Sequence, residues 1–432
     1  MHIEGGRLMG VTAAHHRRAT FAAIAALLAA ATTPFTASAH ATGGRHSHIP
    51  CQTVAASPAF ADDHTLFCAA PTPDATGVDF YRSTDAGHTW VGPTAVERGS
   101  RNDFPMGIFP SPAYLTDHTV YVGTYTGGYV STDGGATFAT PVTGASDFNP
   151  VTATAFLDGA PGGTITRPEL ITGITGSIYD PVLPPRSATH VPLSSGERYI
   201  IPPDFPSTHQ SVMLGYPYSG PSQVAPAWHA RAYSCTAEFA CDTVVYDFPP
   251  RPGDDVSGFE WSGPTYYPSS PDNYAVIGSG RTGAVTQTPT PDRIFRSPDY
   301  GRTWSLWTSA SKLLAPGYDY VQVYINASPD APHRLFLHLT GAPNPTVPGE
   351  QLYRSDDNGT TWHRIGCAWA PDEKPRYRCT LPFNATPQAY GTTVVEPNGR
   401  LYLVAEHGAG KHVDFVGLYC SRDYGVHWST TC

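Results

Sequence analysis

The chain alternates between short apolar runs and clusters of turn-forming residues. Tyr, Thr, Val and Trp fill the runs, and Gly, Pro, Asp and Ser separate them. Glycine occurs 42 times and proline 43 times, and helix-like patterns are scarce after the N-terminal segment. Short runs of β-branched and aromatic residues bounded by turn residues are typical of β-strands. The pattern therefore predicts an all-β protein.

An octapeptide of the form S-x-D-x-G-x-[TH]-[WF] occurs five times. The copies are STDAGHTW at 83–90, STDGGATF at 131–138, SPDYGRTW at 297–304, SDDNGTTW at 355–362 and SRDYGVHW at 421–428. Asp accepts hydrogen bonds from nearby backbone N–H groups, and Gly supplies a positive φ. The Trp or Phe can start a strand and bury its ring between sheets. Because each turn repeats only one carboxylate, we predict structural turns and not calcium loops.

A second motif precedes the octapeptide. It is SPAFADDHTLF at 57–67 and SPAYLTDHTVY at 111–121, and less similar copies occur at 203–214 and 328–338. Each copy is followed by a strand-like run and then by an octapeptide. The repeating unit is therefore strand, Pro/Asp turn, strand, loop, strand, Asp turn, strand. Four short antiparallel strands per unit are typical of a β-propeller blade.

The spacing of the octapeptides predicts the number of blades. Neighbouring copies start 48, 58 and 66 residues apart, and one gap of 166 residues separates the second copy from the third. That gap fits three intervals, so two degenerate turns are expected inside it, near 176–181 and within 232–246. We predict a seven-bladed β-propeller of four-stranded antiparallel blades, with six or eight blades as the alternatives.

The octapeptide resembles the Asp-box, or BNR, repeat of sialidase-like and sortilin-like β-propellers. In the first copy the matching residues are Ser83, Asp85, Gly87, Thr89 and Trp90. The last copy departs from the pattern with His427 where Thr is usual. Such propellers include exo-sialidases, other glycan hydrolases such as xyloglucan-cleaving enzymes, and binding or assembly proteins without catalysis. The resemblance therefore implies the architecture and leaves the activity open.

The N-terminus has the layout of a signal peptide. Arg17 and Arg18 precede an apolar run at 21–31, and small residues follow at Ala37 and Ala39. Basic, apolar and small-x-small segments in this order are typical of secretion signals. We predict a cleaved signal peptide at 1–39, a flexible leader at 40–50 and one secreted propeller domain at 51–432. A retained anchor is the alternative; otherwise no membrane span is expected after cleavage.

Charge and motifs narrow the possible partners. Cleavage would remove three arginines and one glutamate, which takes the net charge from −10 to −12. An acidic chain lacks the basic surface that nucleic-acid binding needs. The sequence has no G-x-S-x-G elbow, and no Walker or dinucleotide motif follows a strand. We expect a monomer without a cofactor or a resident metal.

Eight cysteines behind a predicted signal peptide indicate disulfides. We expect Cys51–Cys432 and Cys68–Cys420 to fasten the ring where the termini meet. Local pairing, Cys51–Cys68 with Cys420–Cys432, is the alternative. Two further bridges are expected within loops, and these are Cys235–Cys241 and Cys367–Cys379.

In the propellers that this chain resembles, ligands bind at the rim opposite the Asp boxes. The loops between second and third strands and the connections between blades build that rim. In this chain we predict such loops at 91–107, 216–231, 248–261, 367–379 and 406–414. Paired acids, stacking rings and arginines are the groups that a glycosidase site uses. The candidate acids are Asp103, Asp255, Glu260, Asp319 and Glu406. The candidate substrate-binding residues are Arg101, Trp228, Arg231, Trp261, Arg281, Tyr318, Tyr320, Trp369 and His407.

These features predict a secreted propeller that recognises an extracellular carbohydrate, with glycoside hydrolysis as the reaction if it is an enzyme. A non-catalytic propeller that binds an extracellular or cell-envelope protein is one alternative. An exo-sialidase is the other. The sialidase F/Y-R-I-P motif is missing, since Tyr81 and Arg82 lead directly into the first octapeptide. Two acids about 5–10 Å apart across the channel mouth would favour hydrolysis.

Overall fold

A computed structural model gives the structure of the chain. The residues it describes are 49–99, 103–124, 127–139, 154–156, 170–172, 177–179, 186–187, 198–200, 202, 208, 210–215, 231–236, 241, 243–249, 259–260, 273–277, 293–309, 321–328, 331–341, 350–367, 385–387, 394–409 and 412–429. The elements of this part of the chain are 27 β-strands, two helices of four residues and one 3₁₀ turn at Pro397–Gly399. The prediction of an all-β protein is confirmed. None of the described helices is long and apolar enough to cross a membrane.

Two antiparallel sheets form from the first 131 residues. Sheet 1 has the order β1-β2-β3-β4, and its strands are β1 (Thr53–Ala56), β2 (Leu66–Pro71), β3 (Gly77–Ser83) and β4 (Val91–Arg98). Sheet 2 consists of β5 (Pro105–Pro110), β6 (Val120–Thr124) and β7 (Gly128–Ser131). A one-turn helix lies between the first two strands of each sheet, and these are α1 (Phe60–Asp63) and α2 (Tyr114–Asp117). The predicted Pro/Asp turn therefore contains a single helical turn.

The middle of the chain forms three sheets of four strands, each in chain order and antiparallel. Sheet 3 is β8 (Thr154–Phe156), β9 (Leu170–Thr172), β10 (Ser177–Tyr179) and β11 (Arg186–Ser187). Sheet 4 is β12 (Arg198–Ile200), β13 (Ser211–Gly215), β14 (Arg231–Cys235) and β15 (Thr243–Asp247). Sheet 5 is β16 (Phe259–Glu260), β17 (Asn273–Ile277), β18 (Arg293–Ser297) and β19 (Ser305–Ser309). The β10–β11 and β14–β15 hairpins lie where the two degenerate turns were predicted.

The last two sheets complete the described fold. Sheet 6 is β20 (Val321–Ser328), β21 (Ala331–Gly341), β22 (Glu350–Ser355) and β23 (His363–Cys367). Sheet 7 contains β24 (Ala385–Pro387), β25 (Val394–Val395), β26 (Leu401–Ala409) and β27 (His412–Ser421). Both β24 and β25 pair with β26, so they form a first strand in two pieces. A bridge between Cys420 and Ser429 begins a fourth strand beside β27.

Strand β2 shows why the sheets stack. Leu66 and Cys68 point into one buried cluster, and Phe67 and Ala69 point into another. Alternate side chains of a strand face opposite sides of the sheet, so both faces of sheet 1 are covered. The fourth strand is different, because Val91 on β4 is 69% exposed. The core therefore consists of apolar layers between sheets, to which the fourth strand adds only its inward side chains, such as Val96 at 7% exposed.

Sheets that follow each other in the chain pack face to face. Sheet 1 packs on sheet 2, sheet 4 on sheet 5, and sheet 6 on sheet 7, through continuous clusters of buried side chains. Strand β8 of sheet 3 contacts β12 of sheet 4, and the ring of Trp307 in sheet 5 contacts that of Trp362, which directly precedes the fourth strand of sheet 6. This order of stacked four-stranded meanders is typical of a β-propeller.

The last sheet also packs on the first. Tyr402 and Leu418 of sheet 7 share a buried cluster with Leu66 and Tyr81 of sheet 1. The Tyr402 hydroxyl donates a hydrogen bond of 3.2 Å to the carbonyl oxygen of Ala86. The described residues thus form seven sheets. A closed ring of seven blades stays a prediction, since the residues between sheets 2 and 3 lie outside the described part.

First strands of neighbouring sheets meet each other. Strand β1 contacts β5 on one side and β25 on the other, and β25 also contacts β20. The first strands therefore lie nearest the centre, and the exposed fourth strands lie at the periphery. In a meander of this kind, the first–second and third–fourth turns lie at one end of every sheet. The second–third turns and the connections between sheets lie at the other end.

The expected disulfide clasp between the termini is wrong. Cys51 is bonded to Cys68, 17 residues away and on the neighbouring strand of the same sheet. Cys420 is also disulfide-bonded, and its partner is neither Cys51 nor Cys68. In the β1–β2 pairing Cys68 lies opposite Val54, and Cys51, just before β1, has its Cα 5.6 Å from that of Cys68. The predicted Cys235–Cys241 bridge is confirmed, and Cys367–Cys379 falls partly outside the described residues.

Candidate functional site at the rim opposite the Asp boxes

The five octapeptide turns use their own carboxylates. In the first turn, the Ser83 hydroxyl and the Thr89 N–H each donate to Asp85 Oδ1 at 2.8 Å. The Thr89 hydroxyl donates to Asp85 Oδ2 at 2.6 Å. The Trp90 Nε1–H donates to the Gly87 carbonyl at 3.1 Å. Equivalent carboxylate bonds occur in the other four turns, with His427 in place of Thr in the last.

Both oxygens of each Asp-box carboxylate therefore accept hydrogen bonds inside the turn, which gives the carboxylate a structural role. In the described part of the chain, no group of three or more His, Cys, Asp or Glu residues could hold a metal ion. The prediction of structural turns agrees with this geometry.

Each Asp box is joined to the turn before it. The fourth residue of the first box, Ala86, has a φ of 59°. Its N–H donates 2.9 Å to the carbonyl of His64, which ends α1. Gly134 donates likewise to His118 at 2.8 Å. First–second and third–fourth turns therefore share one end of the sheets, which we call the box rim. The other end is called the opposite rim.

The hydrogen bonds lower the pKa of the Asp-box carboxyls. For Asp357 the largest cause is the Thr361 hydroxyl, and the pKa falls from 3.8 to about 2. For Asp85, Asp133, Asp299 and Asp423, burial alone would raise the pKa, but the turn hydrogen bonds outweigh it and the pKa is lowered. The ionised form is thus favoured in the folded state.

We expect the Asp boxes to make the fold acid-sensitive. Because the pKa of Asp357 is lower folded than unfolded, its contribution is complete above pH 4 and is lost as the pH falls through 2. Thermal unfolding followed by circular dichroism at pH 2–7 measures this. Asp357→Asn should lower Tm at pH 6, and the difference from the wild type should shrink towards pH 2. A difference that stays constant with pH would contradict the assignment.

Asp103 lies at the opposite rim, in the connection between sheets 1 and 2. It is 1% exposed, and one of its oxygens accepts the Phe104 N–H at 3.1 Å. The predicted loop 91–107 is shorter than expected, because Val91–Arg98 forms the fourth strand of sheet 1. The repeat unit predicts a strand after each octapeptide, so the first part of the predicted loop is wrong; Gly92 and Pro93 lie within this strand.

Glu260, Glu406 and His407 occupy strands and not loops. Glu260 ends the short first strand of sheet 5, where it pairs with Val276. Glu406 and His407 lie in β26, opposite Thr386 and Ala385 of the first strand. The predicted loop 406–414 is wrong, since β26 continues to Ala409 and β27 starts at His412. The topology nevertheless keeps these positions in the half of each sheet that leads to the opposite rim.

Arg231 starts the third strand of sheet 4, at the opposite rim. It was expected at the end of a loop. It pairs in register with Asp247 of the fourth strand, and its Nε lies 3.5 Å from Asp247 Oδ2. The side chains of Arg231 and Asp247 are 28% and 49% exposed, so the pair is accessible from solvent.

The remaining candidates fall outside the described residues, so their contribution stays a prediction. These are the acids Asp255 and Asp319 and the binding residues Arg101, Trp228, Trp261, Arg281, Tyr318, Tyr320 and Trp369.

Two arginines at the opposite rim have partners that the sequence did not predict. Arg98 on β4 forms an ion pair with Asp79 on β3. Arg293, which starts β18, is buried and donates from Nη1 to the Pro249 carbonyl in the connection after sheet 4. Each arginine meets a partner 19 or 44 residues away in the chain. Contacts over such separations leave no local pattern in the sequence.

A family model agrees with the repeat. The model described as "BNR/Asp-box repeat" matches residues 353–364, which contain the fourth octapeptide. It covers one turn and its flanks, so it supports the nature of the repeat.

Relatives with described activities match at low identity. A probable oligoxyloglucan-reducing end-specific xyloglucanase of Neosartorya fischeri is 26% identical over 132 residues, which cover 30% of this chain and 15% of that protein. The crystal structure of the GH74 xyloglucanase from Xanthomonas campestris is similar over 88% of this chain and 60% of that chain, with 16% identity and a TM-score of 0.47. An ancestral GH74 enzyme is similar over 90% of this chain and 55% of that one, with 13% identity and a TM-score of 0.43. The chain thus spans less than two thirds of each of them.

Proposed function

We propose that this protein is a secreted, seven-bladed Asp-box propeller that binds and hydrolyses an extracellular glycan. In this proposal the active site lies at the opposite rim, and the Asp boxes serve only as structural turns. Two disulfides within the described residues, Cys51–Cys68 and Cys235–Cys241, fit an oxidising compartment outside the cytoplasm.

The observation that carries the proposal is the division of acids between the two rims. The Asp-box carboxylates accept hydrogen bonds within their own turns. Glu260 and Glu406 lie instead on the first or second strands of sheets 5 and 7, which are the strands near the centre. Glycoside hydrolysis needs one carboxyl as an acid and another as a base or nucleophile. Two glutamates from different sheets near the central channel could supply that pair.

The substrate class follows from the partial match to a xyloglucanase. That relative acts on xyloglucan oligomers by its name, so a branched, neutral β-glucan is the first substrate to test. A neutral substrate also suits the acidic chain, whose net charge of −10 would repel polyanionic sugars.

The test is a screen with the purified, secreted form of the chain. Xyloglucan, unbranched β-glucan, arabinan and sialyllactose are incubated separately, and reducing ends or free sialic acid are measured. Native gels containing each soluble polymer report binding without cleavage. Release of reducing ends from xyloglucan is the expected result. Retardation without cleavage would point to the non-catalytic binder, and release of sialic acid would point to the exo-sialidase. Neither binding nor cleavage of any glycan would overturn the proposal in favour of a protein partner.

A further inference from the structure

The ion pair between Arg98 and Asp79 lies on the face of sheet 1 that is directed at sheet 7. Tyr81, two residues along β3 from Asp79, packs in the cluster shared by these two sheets. Val78 and Phe80 pack instead against sheet 2. Asp79 therefore shares the face of Tyr81 but lies closer to the opposite rim. On β26, Tyr402 and Val404 pack in the same cluster. Position 406 lies on the same face of this strand, because alternate residues share a face.

A β-bulge directs Arg98 to this face. Asp79 pairs with Ala95, whereas Val78 pairs with Glu97, so Val96 is an extra residue in β4. The shift makes Arg98, and not Glu97, the partner of Gly77. A Cβ atom at Gly77 would lie 2.1 Å from the Glu97 carbonyl oxygen, so the close approach of the two strands requires glycine. Bulges commonly re-aim a side chain at the end of a strand.

The guanidinium group of Arg98 is held by hydrogen bonds to the backbone and to Asp79, and part of it is exposed to solvent. Its Nη1 donates to the carbonyls of Val78 and Glu97 at 3.0 and 2.9 Å, and its Nη2 donates to Asp79 Oδ1. A guanidinium group has five N–H donors, so two have no partner among the described residues. The Arg98 side chain is 47% exposed, and that of Asp79 is 9% exposed. Asp79 Oδ2 likewise has no hydrogen-bond partner in this part of the chain.

The architecture does not explain the choice of residues. The same kind of bulge recurs in sheets 4, 5 and 6, where Val245, Trp307 and Ile365 are the extra residues. The bulge is therefore a repeated structural feature, like the Asp box. The residue two positions after the extra residue differs from sheet to sheet. In sheets 1, 4, 5 and 6 it is Arg98, Asp247, Ser309 and Cys367. Among the four sheets in which this bulge is described, sheet 1 alone combines a buried carboxylate with an anchored, exposed arginine; in sheet 4 the equivalent pair is Arg231 with the exposed Asp247.

We propose that Arg98 and Asp79 form a sugar-binding subsite for a remote unit of a polysaccharide, an inference that rests on the proposed glycan activity. Two free N–H donors and one free carboxylate oxygen match the hydroxyl groups of a sugar, which both donate and accept. Because the pair is neutral overall, it favours a neutral sugar over a uronic or sialic acid. Arg98 belongs to the fourth strand, three strand spacings or about 14 Å from the first strand. A polymer that occupies the channel mouth can reach it, but a short glycoside cannot.

The experiment compares KM and kcat on soluble xyloglucan with those on a short xyloglucan oligosaccharide. Arg98→Gln should raise KM on the polymer by about tenfold, the loss expected for one charge-assisted contact to the sugar. Both kinetic constants on the oligosaccharide should stay unchanged. Arg98→Lys keeps a charge beside Asp79 but loses the planar guanidinium, so it should also weaken the polymer reaction.

Stability is separated from binding by two further variants. Arg98→Gln leaves Asp79 buried without a partner, so the double variant Arg98→Gln/Asp79→Asn removes both charges and should fold with a Tm closer to the wild type. Its KM on the polymer should remain raised. Arg334→Lys is the matched control, because Arg334 forms an ion pair with Asp356 on the box rim; it should leave KM unchanged.

A folded double variant with wild-type KM on xyloglucan would overturn the subsite and leave the proposed function intact. A wild-type protein that neither binds nor cleaves any of the glycans in the screen would overturn both. A preference for polygalacturonate over xyloglucan would also contradict the inference, because a neutral pair offers no net charge to a polyanion.

Discussion

Replacing Glu406 or Glu260 by glutamine is expected to reduce kcat on xyloglucan by about 10²- to 10⁴-fold, the range typical for loss of a general acid or base. Glutamine keeps the shape of the side chain but can neither give up nor take the proton that glycosidic cleavage needs. KM should change little, since the substrate is still held by its other contacts. Steady-state kinetics on the purified variants measure both constants.

One control makes this result specific. Asp62→Asn changes an exposed acid in α1, on the box rim, and should leave kcat unaltered. Asp103, the third candidate acid that the structure describes, is 1% exposed, and we expect Asp103→Asn to lower Tm more than kcat. If both glutamine variants keep full kcat while folding normally, these two glutamates are not the catalytic pair. Attention would then move to Asp255 and Asp319.

The fold could be predicted largely because its information is local. Ser83, Asp85 and Thr89 make their hydrogen bonds within one turn, so the octapeptide specifies its own structure. The spacing of such turns then located sheets even where the motif is degenerate, as at β10–β11 and β14–β15. Strand propensity supplied the rest.

The candidate site was less predictable because its contacts are not local. Arg98 meets Asp79 only through strand pairing and a bulge, and neither leaves a residue pattern that marks the pair. Glu406 looked like a loop residue because glycines follow it, yet the hairpin continues through that stretch. The disulfide clasp was wrong for a related reason. Ring closure suggested Cys51–Cys432, but the pairing of β1 with β2 places Cys68 opposite Val54, close enough for Cys51, just before β1, to bond it.

Gly359→Ala is expected to be the most damaging single change in an Asp box. Gly359 has a φ of +81°, and a Cβ atom there would lie 1.9 Å from Cζ2 of Trp307 in the neighbouring sheet. The left-handed conformation costs a non-glycine residue about 1–2 kcal/mol. Forcing a methyl group into a packed interface typically costs a further 1–3 kcal/mol. The free energy of unfolding should therefore fall by about 2–5 kcal/mol.

Gly99→Ala is the matched control for this prediction. Gly99 has a similarly positive φ of +100°, but a Cβ atom there would meet nothing within 4 Å. It should therefore show the conformational cost without the clash, and its Tm should fall less. Thermal and denaturant unfolding of both variants measure the difference. If both variants lost the same stability, Trp307 would have to move to make room for the new methyl group. The Asp boxes would then be stabilised more by their internal hydrogen bonds than by the packing of one blade against the next.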